Sequence, residues 1–132
     1  MVKKIFILSF GLLLLAGVST AQNLSWKKHR KLADNLMEEG KLQEAAENYT
    51  KAWQKKQKNK ELIFKAGEAY YLLKDYRKAA ESFQHVREEN KDFPLVGLKY
   101  ARSLKQDGQY DKAIDAFKEF GENYTGSGKA IL

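Results

Sequence analysis

The stretch DGQYDKAIDAFKEF, Asp107 to Phe120, decides the fold. Its skeleton is a turn residue at Gly108, aromatics at Tyr110, Phe117 and Phe120, and a small residue at Ala113. The same skeleton stands 34 residues upstream at Lys74, Tyr76, Ala79, Phe83 and Val86, and another 34 upstream at Gly40, Leu42, Ala45, Tyr49 and Ala52. Five columns keep register over three copies without a gap. A fixed period of this length marks an array in which one supersecondary unit stacks on copies of itself.

Within each copy the apolar residues recur at helical spacing, as in Ala66, Ala69, Tyr70 and Leu73, then Tyr76, Ala79, Ala80, Phe83 and Val86. The change of helix falls at Lys74-Asp75, so each unit reads as two antiparallel helices. The predicted pairs are Ser25–Glu39 with Leu42–Gln57, Lys60–Leu73 with Tyr76–Glu89, and Pro94–Gln106 with Tyr110–Asn123. Gly40 and Gly108 stand where a left-handed helix end favours glycine, and Ser25, Asn59 and Asp92 precede helix starts. The single proline, Pro94, is expected to open a first turn, where its missing N–H leaves nothing unpaired.

Ala45, Ala79 and Ala113 form the small column that lets two helices cross closely, and Tyr49, Phe83 and Phe117 fill the space one turn on. This pattern resembles the tetratricopeptide repeat. Leu32-Ala33, Ala66-Gly67 and Tyr100-Ala101 fall at that family's Leu-Gly pair, and Leu36, Tyr70 and Leu104 at its first-helix tyrosine. His29, Ile63 and Gly97 depart from its tryptophan, and Gln57, Lys91 and Thr125 from its inter-repeat proline. The resemblance implies an all-α, right-handed solenoid of three helix-turn-helix units at about 26–59, 60–93 and 94–127, within a domain of 22–127. It further implies that the first helices line a concave groove that holds a peptide or protein segment.

By repeat position that groove presents Arg30, Asp34, Met37 and Glu38, then Phe64, Glu68 and Tyr71, then Leu98, Arg102 and Lys105. Chaperone-binding members of the family grip a terminal carboxylate with lysine, asparagine and arginine. The counterparts here are Arg30, Asp34, Glu68, Leu98 and Arg102, whose two acids and one leucine do not suit that grip. Apolar residues flanked by both signs of charge suit a segment with apolar anchors and charges of its own.

The formal charge of +7 is unevenly spread: Trp26 to Asn59 hold nine basic and five acidic residues, while the next two units balance. Lys55, Lys56, Lys58 and Lys60 crowd one connection, a basic patch whose alternative use is contact with anionic lipid or polysaccharide. Catalysis has no residue set to carry it. The chain has no cysteine and only two histidines. His29 and His85 are both expected at the surface, and Glu38-Glu39 and Glu88-Glu89 are expected to be solvated. GSGK at Gly126 to Lys129 lacks the flanks of a phosphate loop. No metal, no cofactor and no nucleic-acid partner are expected.

Lys3 and Lys4 precede an apolar run of 14 residues, Ile5 to Val18, short of the roughly 20 that span a bilayer. With Ser19 and Ala21 it reads as a signal peptide, 1–21, cleaved before Gln22. Val18 stands where a lipoprotein would carry its acylated cysteine. The expected location is therefore the periplasm or outer membrane, with no membrane-spanning segment in the mature chain. The glycosylation sequons at Asn23, Asn48 and Asn123 are then fortuitous. Residues 128–132 read as the start of a further helix or a truncated tail: the register places Ile131 where Ile63 stands. Self-association or a downstream domain is expected to cover the last unit. The leader and AQNLSWKK together are similar to the front of OmpA-like envelope proteins, some associated with type IX secretion. The resulting expectation is a non-catalytic interaction scaffold of the cell envelope.

Overall fold

The computed structural model describes residues 24–125. The expected leader, the sequon at Asn23 and the expected fourth-unit start at 128–132 lie outside the described residues. Among the described residues there are six helices and no strand: α1 (Trp26–Glu38), α2 (Leu42–Lys55), α3 (Lys60–Leu72), α4 (Tyr76–Gln84), α5 (Val96–Gln106) and α6 (Tyr110–Thr125).

Helix ends sit where local chemistry serves their unpaired backbone groups. The Ser25 hydroxyl accepts from the Lys28 N–H at 3.3 Å, and the Asp75 carboxylate from the Lys78 N–H at 3.2 Å. The turn inside each hairpin has one geometry. Gly40, Lys74 and Gly108 all take positive φ, at 73°, 64° and 80°. Each of these residues, and the one after it, donates back into the helix just ended. The pairs are Gly40 to Met37 and Lys41 to Leu36, Lys74 to Tyr71 and Asp75 to Tyr70, and Gly108 to Lys105 and Gln109 to Leu104. These paired bonds satisfy the last carbonyls and reverse the chain in the fewest residues.

Each helix packs on its sequence neighbours, α1 on α2 through to α5 on α6. The alanine column is buried throughout, at 0%, 0% and 3% exposure for Ala45, Ala79 and Ala113. The second unit packs so closely that a Cβ on Gly67 would stand 2.6 Å from the fully buried Phe83 ring. The result is an all-α, solenoid-like stack of three helical hairpins with one core running through it.

Four expectations are corrected. First, α4 ends at Gln84, short of Glu89, because the bonds that follow tighten to Val86 N–H on the Phe83 carbonyl and Glu89 N–H on that of Val86. Val86 stays in the core outside the helix. Second, Pro94 does not open α5 and Asp92 does not cap it. Leu95, left-handed at φ 65°, precedes Val96, and the Asn90 side chain accepts from the Gly97 N–H at 3.0 Å in the cap's place. Asn59 precedes α3 but makes no side-chain cap bond. Third, His29 is buried at 5% exposure, with Nδ1–H donating to Asn48 Oδ1 at 2.9 Å. The pattern of lysines around it hid its inward face. Asn48 also donates to the Glu44 carbonyl at 2.9 Å, so this sequon's amide is engaged within the fold. Fourth, Glu89 is only partly solvated, its side chain 25% exposed and its carboxylate paired with Lys60.

Candidate functional site

The first helices α1, α3 and α5 are tied to one another by side chains that recur with the repeat. Lys65 on α3 reaches back to Asp34 on α1 at 3.2 Å, and Lys99 on α5 reaches back to Glu68 on α3 at 2.5 Å. Both pairs span the same sequence separation, so they are two rungs of one ladder. Arg30 strengthens the first rung, lying 3.9 Å from Asp34 and 3.4 Å from Glu61, which is itself 3.7 Å from Lys65. These side chains are one third to two fifths exposed, so each pair contributes about 0–1 kcal/mol.

Asp34 has a second, buried partner. The Tyr49 hydroxyl donates to Asp34 Oδ1 at 2.5 Å from a side chain only 3% exposed. Burial alone would push the Asp34 carboxyl up; the hydrogen bonds from Tyr49 and Lys65 and the charges of Lys65 and Arg30 outweigh it and hold it below the usual carboxylate range. Burial, then the bond to Asp34 and its charge, push the Tyr49 hydroxyl well above the usual phenol value.

These groups form the wall of a cleft of about 580 Å³ lined by Asp34, Met37, Glu38, Tyr49, Phe64, Lys65 and Glu68. Its apolar floor is Met37, Phe64 and the Tyr49 ring. Five of the residues assigned from the repeat register meet here: Asp34, Met37, Glu38, Phe64 and Glu68. Arg30 lies beside them through its bond to Asp34. Tyr71 instead packs edge-on to Tyr76, ring centres 5.5 Å apart, and towards Phe83 at 6.5 Å. Leu98 is half-buried and Arg102 and Lys105 are exposed on α5, outside this cleft. Phe64 is shared between cleft and core: it stacks on Phe93 at 4.7 Å, and Lys99 Nζ stands 5.4 Å from its ring centre.

Lys65 and Tyr49 escaped the sequence reading because one looks like a solvated lysine and the other like a core aromatic. The recurring acid-to-lysine separation was the signal that could have found the rungs. In the basic patch Lys55, Lys56 and Lys58 are exposed, whereas Lys60 is drawn off by Glu89.

A larger hollow, about 730 Å³, lies between α4, α5 and α6. Two charge pairs close within it: Arg77 lies 3.7 Å from Asp107, and Arg87 lies 3.6 Å from Glu119 while its guanidinium sits 5.6 Å from the Tyr100 ring centre. A charged ligand there would compete with these two pairs. The smaller cleft is the one built from the first-helix face, with Asp34, Lys65 and Glu68 paired at its wall and Met37 and Phe64 partly exposed at its floor.

Comparison with known proteins agrees with the geometry. One tetratricopeptide repeat family profile matches residues 36–102 and another matches residues 96–127. The chain belongs to the tetratricopeptide repeat family. Tetratricopeptide repeat protein 13 of Homo sapiens is 34% identical to it over 87 residues, 66% of this chain and 10% of that protein. The chain thus spans about a tenth of that relative's length. Tetratricopeptide repeats are protein-interaction modules and in general have no catalytic role, and among the described residues no helix is long and apolar enough to cross a membrane.

Proposed function

We propose that the chain is a non-catalytic scaffold of the bacterial cell envelope that holds a peptide or protein segment on the first-helix face, as the N-terminal module of a larger OmpA-like protein. The cleft over Met37, Phe64 and Tyr49 carries this reading. Asp34, Lys65 and Glu68 at its wall are answered within the chain, so a ligand gains affinity by covering the partly exposed Met37 and Phe64, and the rungs set its orientation. The envelope setting rests on Lys3, Lys4, the Ile5 to Val18 run and Ala21.

The test is site-specific photocrosslinking in the native host. A photoreactive side chain at exposed Glu38 or Lys105 is expected to give a discrete adduct, and one at exposed Glu81 or Lys112, in the opposite hollow, is expected to give none. The same adduct from both sides, or adducts from Glu81 and Lys112 alone, would sink the reading.

One observation favours a second use of the molecule. Lys55, Lys56 and Lys58 are exposed and enter no ion pair among the described residues. Contact of this end with anionic lipid or polysaccharide would weaken as ionic strength rises through the physiological range, where screening acts over about 8 Å. Vesicle cosedimentation that ignores salt would exclude it.

A further inference from the structure

In an array of equivalent units, burial at a second-helix position depends on the helix that follows. Ala46 and Ala80 occupy one column and are 0% and 3% exposed, with α3 packed on α2 and α5 on α4. The third member of that column is Ile114 on α6, which is 52% exposed. One turn earlier Tyr110 is 64% exposed, whereas its counterpart Tyr76 is half-buried. Phe117 is half-buried, where Tyr49 and Phe83 are 3% and 0% exposed. Tyr110, Ile114 and Phe117 therefore form an apolar stripe at helical spacing on the last described helix, on the face where a further first-type helix would sit.

The ladder specifies the charge of the helix that fits. Asp34 and Glu68 share one column, and each is held by the lysine of the following unit, Lys65 or Lys99. The next member of the acid column is Arg102, so the sign is reversed. Arg102 is exposed and enters no ion pair among the described residues, and exposed Lys105 follows it on α5. The rung that continues the ladder needs a carboxylate.

We propose that this end of the array docks an acidic amphipathic helix of a partner protein, its apolar face on Tyr110, Ile114 and Phe117 and a carboxylate on Arg102. A second copy of the chain stacked in register fits poorly. It would bring Lys31, the column-mate of Lys65 and Lys99, against Arg102, and like charges would meet at the rung. The proposal rests on the end face and is independent of what fills the cleft over Phe64.

The probe is a helix-stapled peptide with the sequence of α3, Lys60 to Leu72, which natively covers the equivalent face of α2. It is compared with the same peptide carrying Lys65→Glu, each titrated into the full chain while isoleucine methyl resonances are followed by NMR. The glutamate peptide is expected to move the Ile114 resonance and to bind about five-fold more tightly than the lysine peptide, as for one half-exposed pair gained and one repulsion removed. In an Arg102→Glu chain the order of the two peptides inverts. An Ile114→Asp chain keeps its helical circular dichroism, because the position is exposed, and loses the peptide.

Equal affinities, or binding that leaves Ile114 unmoved and shifts the Lys55 to Lys58 connection, overturn the proposal. So does an Ile114 methyl already shielded from a paramagnetic solvent probe in the chain alone. Sedimentation then tells whether a second copy or the chain's own residues cover it. Unfolding of the Ile114→Asp chain also overturns the proposal, since it would place Ile114 in the core.

Discussion

Replacing Lys74 with glycine is expected to stabilise the protein. Three turns share one hydrogen-bonding pattern, and glycine provides the left-handed residue in two of them, while Lys74 must hold φ 64° with a side chain attached. A left-handed conformation costs an L-residue roughly 1–2 kcal/mol, because Cβ crowds the following carbonyl oxygen. Glycine returns about 0.5–1 kcal/mol of that through the larger entropy of its unfolded chain. The Lys74 side chain is exposed and enters no ion pair among the described residues, so little else is lost. Lys74→Gly should therefore gain about 0.5–1 kcal/mol, and the thermal midpoint should rise by roughly 2–8 °C for a domain of this size. Urea and heat titrations followed by far-UV circular dichroism measure it, with the urea m-value unchanged. The matched control is Gly108→Lys. Nothing lies within 4 Å of where its Cβ would stand, so any loss of stability is conformational and not a clash. A midpoint unchanged or lowered by Lys74→Gly, together with a harmless Gly108→Lys, would show that these turns hold no strain and refute the reasoning.

Two further substitutions probe the core and the ladder. Gly67→Ala is expected to destabilise by about 1–3 kcal/mol in urea titration, despite the roughly 1 kcal/mol that alanine gains in helix propensity, since its Cβ would stand 2.6 and 2.7 Å from Phe83 ring atoms. A more stable Gly67→Ala protein would mean that the Phe83 ring can yield. At the ladder, the folded state holds the Asp34 carboxyl below its ordinary value of 3.8. Its contribution to stability is present above the unfolded pKa and is lost as pH falls below about 4 through the lower folded value. Asp34→Asn should therefore flatten the acid limb of a stability-against-pH curve, and an acid limb as steep as the parent's would contradict the ladder.

The hairpin turns and the alanine and aromatic columns were legible because they obey the repeat: a column of three residues with one physical task shows itself in the sequence. Features that break the repeat were not legible. Nothing in HVREENKDFPLV announces that α4 stops at Gln84, since a helical period continues through Val86; nor does it announce that the Asn90 side chain accepts from the Gly97 N–H at the start of α5. His29 was misplaced because three lysines and an arginine surround it in sequence, whereas its burial is decided by Asn48 on the facing helix. In the cleft, Asp34, Met37, Phe64 and Glu68 could be named from register alone. Lys65 could not, because its role appears only when its unit is laid beside the one before.

The rungs give the array a mechanical character. Lys65 and Lys99 are the straps between neighbouring units, and Lys65 is at once a wall of the cleft. A guest carboxylate that draws Lys65 away from Asp34 slackens the tie between the first two hairpins, while a guest that brings only apolar groups leaves the tie tight. The spacing of the stack is thus expected to register the charge of its cargo, so that an acidic guest and a neutral one leave the same three hairpins with different pitch.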